Sequence, residues 1–171
     1  NVWMINEYDI DSFEINPSDI IIDVGAHIGL FSLLVSQFCK TGKIFSFEPI
    51  RENFDLLVSN LALNHIENVF PFNVGVSKNS DKLNLFLNND QSAYSIFPKG
   101  SESITVESTS LQKIFDEKKI SSCKLLKLDC EGAEYDIIDS LPAEYLDKIQ
   151  NMAIEYHLAD TKPELIKNLM L

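Results

Sequence analysis

Apolar residues in this chain fall into short unbroken runs and into longer stretches repeating every three to four positions, and the two alternate from residue 19 onward. Such alternation predicts a parallel β-sheet with helices packed on it. The run Ile20-Ile21-Ile22-Asp23-Val24 is unbroken, as expected of a central strand buried on both faces. After Gly29, residues Leu30, Phe31, Leu33, Leu34, Val35 and Phe38 recur at helical spacing, and Thr41-Gly42 supplies a stop. A second strand over 43–47 ends at Glu48-Pro49. The helix after it carries Phe54, Leu57, Val58 and Leu61 on one face before Asn64. A third strand covers 69–74.

Between residues 78 and 110 the rhythm changes. Two β-type segments, 83–87 and 104–109, are joined by a polar stretch containing Gly and Pro, which predicts an inserted ribbon or loop. The α/β rhythm resumes with a strand over 124–128, a helix after Gly132, a strand over 149–156 and a last helix over 163–171. Residues 1–18, with Trp3 and Tyr8, are expected to form an N-terminal cover. Neither an internal repeat nor an inter-domain linker interrupts the pattern, so the chain reads as a single domain.

Composition narrows the partners. The chain has 171 residues, 45% of them hydrophobic, enough for one sizeable core. Its formal charge of −12 repels a phosphate backbone, which argues against nucleic acid. No apolar run approaches the roughly 20 residues that cross a bilayer, and the start has no leader pattern, so no membrane association is expected. Cys39, Cys123 and Cys130 are an odd number without paired spacing, which reads as free thiols in a reducing, cytoplasmic setting. The first residue is Asn1 rather than Met, as expected if residues have been trimmed from the front.

The chemistry gathers where strands end. Asp23-Val24-Gly25-Ala26-His27-Ile28-Gly29 sets two glycines at a strand-to-helix turn, where a missing side chain lets backbone approach a ligand. Glu48 follows at the end of the next strand, about 20 positions on, where an acidic residue accepts hydrogen bonds from ribose hydroxyls. A dinucleotide loop would need glycines at 27 and 30, but those positions are His27 and Leu30, so a nicotinamide-dependent oxidoreductase is disfavoured. A nucleoside with a sulfonium amino-acid tail and no phosphate suits the turn better.

These residues resemble the FkbM family of methyltransferases. The likeness rests on Asp23-Val-Gly-Ala-His-Ile-Gly29, Phe47-Glu48-Pro49, Lys127-Leu-Asp-Cys-Glu-Gly-Ala-Glu134 and Ile154-Glu-Tyr-His157, in that order. His27 stands where the family commonly carries Asn. The resemblance implies a Rossmann-like class I methyltransferase sheet with helices on both faces and S-adenosylmethionine as methyl donor. Asp23, Gly25, Ala26, His27 and Gly29 would lie along that cofactor, Glu48 on its ribose, and Asn73, Val74 and Gly75 near its adenine. The family's fold has two more strands after the one ending near His157. Residues 158–171 are too few for them, so the chain is expected to be a fragment or to lack its closing hairpin.

Methyl transfer from a sulfonium is an in-line displacement, so the protein must align donor and acceptor and, for an alcohol, remove a proton. Asp129, Glu131 and Glu134 follow one strand, and Glu155 and His157 occupy the corresponding end of the next. Asp129 and Glu131 are expected to shape the acceptor site, with His157 or Glu131 as general base. Acidic residues also favour a helix N-terminus, so spacing alone leaves Glu131 and Glu134 open between capping and chemistry. The same grouping could hold a divalent cation, but carboxylates at strand ends are common without one, and no metal is assigned. His65 reads as a surface residue, and 89–95 as either a lid or an ordinary loop. The expected activity is O-methylation of a hydroxyl on a sugar or other small metabolite. N-methylation on the same fold, or a Rossmann-like binding module without catalysis, are the alternatives.

Overall fold

The computed structural model describes residues 10–87, 94–95 and 102–155. After a 3-10 turn at Ile10–Phe13 come β1 (Ile20–Val24), α1 (Leu30–Ser36), β2 (Lys43–Phe47), α2 (Arg51–Leu63) and β3 (Val69–Phe72). Four short strands follow: β4 (Gly75–Val76), β5 (Lys82–Leu87), β6 (Tyr94–Ser95) and β7 (Ser103–Thr109). The chain closes with α3 (Leu111–Glu117), β8 (Leu125–Leu128), α4 (Glu134–Asp139), α5 (Ala143–Leu146) and β9 (Met152–Ile154). The expected segments 1–9 and 163–171, with residues 156–157, lie outside the described residues, as do 88–93 and 96–101.

The main sheet has the order β3-β2-β1-β8-β9, and every pairing in it is parallel. The chain builds outward from β1 to β3, then crosses back to lay β8 on the other side of β1. The order reverses there, and open α/β sheets bind ligands in the crevice outside the strand carboxyl ends at such a point. Alternate residues of each strand serve two cores. Ile21, Ile44, Val69 and Leu125 pack on Phe31 and Val35 of α1 and on Leu57 and Leu61 of α2. Ile22, Phe45, Leu126 and Leu128 pack on the opposite face with Ile114 and Phe115 of α3 and Ile137 of α4.

Several local expectations are corrected. Val58 is 41% exposed whereas Leu57 is fully buried. One residue turns the helix by about 100°, so the stripe runs through Phe54, Leu57 and Leu61. β3 ends at Phe72 rather than at 74, because Asn73 turns the chain toward β4, which pairs with β7 in the second sheet. That second sheet, β4-β7-β5-β6, contains the expected ribbon as the antiparallel pair β5 and β7. Of the segment 89–95, only β6 falls within the described residues. Of the strand anticipated over 149–156, the described residues up to 155 hold only β9, with Ile149 making a single bridge to Cys123.

Helix α3 was not anticipated, although Ser110 caps it by accepting from the Lys113 N–H and Leu111, Ile114 and Phe115 form its buried face. Phe115 is 1% exposed and sits in the core below the site, whereas Leu63 is 77% exposed. Phe115→Ala should therefore cost about 3–5 kcal/mol. Leu63→Ala should change stability by no more than about 0.5 kcal/mol. Urea denaturation of the two variants checks the contrast.

Candidate functional site

The loop after β1 is shaped by the protein's own atoms. Gly25 has φ +74°, and a Cβ there would stand 1.7 Å from the Asp129 carbonyl oxygen. Gly29 has φ +86°, and its Cβ would stand 2.2 Å from Leu57 Cδ1. Both glycines were read as making room for a ligand. The structure shows that they make room for β8 and α2. The loop N–H groups are also engaged: Gly25 and Ala26 both donate to the Phe47 carbonyl, and Gly29 donates to the Ala26 carbonyl. His27, exposed and in the left-handed region at φ 51°, donates its backbone N–H to Glu48 Oε2 at 2.8 Å. The turn thus offers a ligand Cα and carbonyl surface rather than a nest of free donors, as a pyrophosphate would require.

Glu48, 4% exposed, ends β2 and holds two turns at once. Its Oε1 accepts from the Ile50 N–H at 2.9 Å while its Oε2 takes His27. Burial raises its carboxyl above the ordinary glutamate range, and the hydrogen bonds from Ile50, His27 and Asn53 only partly offset this. An ionised carboxylate has about four acceptor positions, so capacity remains for a further donor. Asn73 is exposed, and its side chain ties back to the carbonyls of Glu48 and Pro49. Val74 is half-buried, and Gly75 is buried in β4.

Asp23 is fully buried. Its Oδ2 accepts from Ser32 Oγ at 2.6 Å, and Ser32 in turn meets Ser46 Oγ at 2.6 Å. Its Oδ1 lies 3.4 Å from the ammonium of Lys127. Asp23 was expected along the cofactor, but it has no exposed surface, so it can act on a ligand only through its neighbours. Lys127 opens the motif Lys127-Leu-Asp-Cys-Glu-Gly-Ala-Glu134, to which the sequence attaches a role only from Asp129 onward. Its signal was legible as a lysine inside a strand otherwise apolar and buried. The ammonium donates to the Gly25 carbonyl at 2.8 Å and lies 3.3 Å from Asp129 Oδ2.

Asp129 and Glu131, both half-buried, follow the carboxyl end of β8. The Asp129 N–H bonds the Val24 carbonyl, holding the two strand ends together, and the Glu155 N–H bonds the Leu128 carbonyl, placing Glu155 on the adjacent end. His157 lies outside the described residues. Glu131 has φ 55°, Gly132 follows at φ 110°, and the buried Glu134 accepts from the N–H groups of Cys130 and Gly132. Glu134 is thereby a staple for the turn. The Cys130 thiol is pushed well up by burial and by the charges of Glu134 and Asp129, which leaves it a poor nucleophile. Among the described residues, no three His, Cys, Asp or Glu side chains stand close enough to share a metal ion. An open groove of about 440 Å³, with Lys40, Lys43, His65 and Phe70 among its walls, lies at the other end of the sheet. His65 is exposed, as expected.

The raised Glu48 carboxyl has a consequence for stability. Between the unfolded value, about 4.3, and the higher folded one, the folded chain retains a proton that the unfolded chain has lost. The stabilisation is complete below the unfolded value and is lost as pH rises through the folded one. Glu48→Gln removes this dependence, so its stability relative to the native chain should improve from pH 4 toward pH 7. Urea melts across that range check the sign.

The comparisons with known proteins agree with this architecture. A curated relative, Methyltransferase sdnD of Sordaria araneosa, is 28% identical, the match covering 86% of this chain and 69% of the relative. The crystal structure of Methyltransferase FkbM from Methylobacillus flagellatus has a TM-score of 0.61 at 17% identity, over 90% of this chain and 38% of that one. A precorrin-6y C5,15-methyltransferase from Geobacter metallireducens also has a TM-score of 0.61, at 12% identity, over 98% of this chain and 68% of that one. These two structures share the Rossmann-like class I methyltransferase fold. The family model of the methyltransferase FkbM domain matches residues 23–169, from the buried Asp23 past both acidic strand ends, and the chain belongs to that family.

Proposed function

We propose that this chain is an S-adenosylmethionine-dependent methyltransferase core that transfers a methyl group to a hydroxyl of a sugar or other small metabolite. The observation that carries the reading is Glu48, an acceptor at the end of β2 beside a loop whose described N–H groups are largely spent on the protein. That combination suits a ribose without phosphates. Asp129 and Glu131 make the mouth acidic, which favours a sulfonium cation and disfavours a phosphate. The residues therefore fit the cofactor.

When bound, S-adenosylmethionine supplies a methyl group made electrophilic by its sulfonium. In this reading Glu48 accepts from the ribose hydroxyls, and Ala26, His27, Gly25 and Gly29 line the tail. Asn73 and Val74 border the base, with Gly75 behind them. Asp23 contributes through Lys127 rather than by contact. Asp129 and Glu131 would orient the acceptor hydroxyl, and Glu131 or His157 would take up its proton. Free thiols at Cys39, Cys123 and Cys130 suit a cytoplasmic setting, with Cys123 pushed up to about 12 by burial. Among the described residues, no helix is long and apolar enough to cross a membrane.

Calorimetric titration with S-adenosylhomocysteine tests the cofactor assignment. The native chain should bind, and Glu48→Ala should weaken binding by about 1.5–3 kcal/mol, the worth of a hydrogen bond to a charged group. Binding of NAD in place of S-adenosylhomocysteine would contradict the assignment.

A further inference from the structure

Lys127 lies between Leu126 and Leu128 in the middle of β8 and is 3% exposed. Burying an ammonium costs free energy that an apolar residue would not, and a sheet needs no charge at this position to pack. What the charge reaches sets it apart. Its Nζ meets the Gly25 carbonyl at 2.8 Å, Asp129 Oδ2 at 3.3 Å and Asp23 Oδ1 at 3.4 Å, and lies 5.9 Å from the centre of the Phe31 ring. These partners belong to the glycine loop, the carboxyl end of β8, the end of β1 and helix α1.

Gly25 is held on every side. Its N–H donates to the Phe47 carbonyl, its Cα presses against the Asp129 backbone, and its carbonyl accepts from Lys127. Removing the ammonium would leave the peptide between Gly25 and Ala26 held only through the Ala26 N–H on the Phe47 carbonyl, so its carbonyl side, and the face the turn presents, would be free to shift.

We propose that Lys127 is a positioning residue: its buried ammonium sets the Gly25 peptide, and hence the face the loop turns to the cofactor, and it anchors Asp129 on the acceptor side of the same crevice. The proposal rests on the cofactor reading above. Lys127 touches neither reactant and acts through Gly25 and Asp129.

Lys127→Met alone strands the buried Asp23 charge and loses stability, so its binding would not separate positioning from stability; the informative binding variant is Asp23→Asn with Lys127→Met, in which both charges leave together. Calorimetry with S-adenosylhomocysteine is run on the native chain, on Glu48→Ala and on this double variant, beside amide hydrogen exchange over residues 25–29 and over α3. The double variant should unfold as cooperatively as the native chain yet bind about tenfold more weakly, the equivalent of one charged hydrogen bond. Exchange should quicken in 25–29 and not in α3. Native-like binding by the double variant, beside a weakened Glu48→Ala, overturns this proposal alone. Quickened exchange in α3 as well assigns Lys127 to general stability and overturns it too. A native chain that binds no S-adenosylhomocysteine removes the cofactor reading and this proposal together.

Discussion

The buried pair of Asp23 and Lys127, where the strand order reverses, is the constraint on which the rest of the site depends. Through Ser32 and Ser46 it continues as a chain of polar contacts joining β2, α1, β1 and β8, and it branches from the ammonium to Gly25 and Asp129. A buried ion pair is weak evidence for stability, since its desolvation cost offsets much of the attraction. Its value here is geometric. Parallel strands fix the direction of the backbone but not the path of the loops beyond their ends. Lys127 ties one such loop to the next strand.

In the cofactor reading proposed above, that geometry bears on the class of ligand. The loop groups that would have cradled phosphates are committed to Phe47, Ala26 and Glu48, which leaves charge recognition to side chains, with the half-buried Asp129 and Glu131 beyond the buried Lys127. Family membership and fold point the same way, toward methyl transfer. The acceptor is a separate matter, because loops outside the sheet build acceptor sites on folds of this kind.

The sequence made the main sheet legible because a parallel sheet covered on both sides demands unbroken apolar runs, and Ile20-Ile21-Ile22 is such a run. Glu48 was legible from its distance to the glycine loop. The reason for the glycines was not: Gly25 and Gly29 yield to Asp129 and Leu57, contacts that span 104 and 28 positions and leave no local trace. Helix α3 was not legible although Ser110 and the Leu111, Ile114, Phe115 spacing signal it, because its 7 residues span less than two helical turns directly after a β-type segment. A lysine inside the apolar strand over 124–128 signals a buried charge, but its partner Gly25 lies 102 positions away and leaves no local trace. Glu134 stood open between capping and chemistry, and its bonds to the Cys130 and Gly132 N–H groups decide for the turn.

Whether Asp23 and Lys127 act as a unit is measured directly by a double-mutant cycle in urea denaturation. Lys127→Met alone should destabilise by about 3–5 kcal/mol, because it leaves a buried charge without its partner. Adding Asp23→Asn should restore much of the loss, giving a coupling of about 0.5–3 kcal/mol or more. Additive effects, with the double variant losing the sum of the two singles, would show that the pair does not hold the strand ends together and would contradict the account.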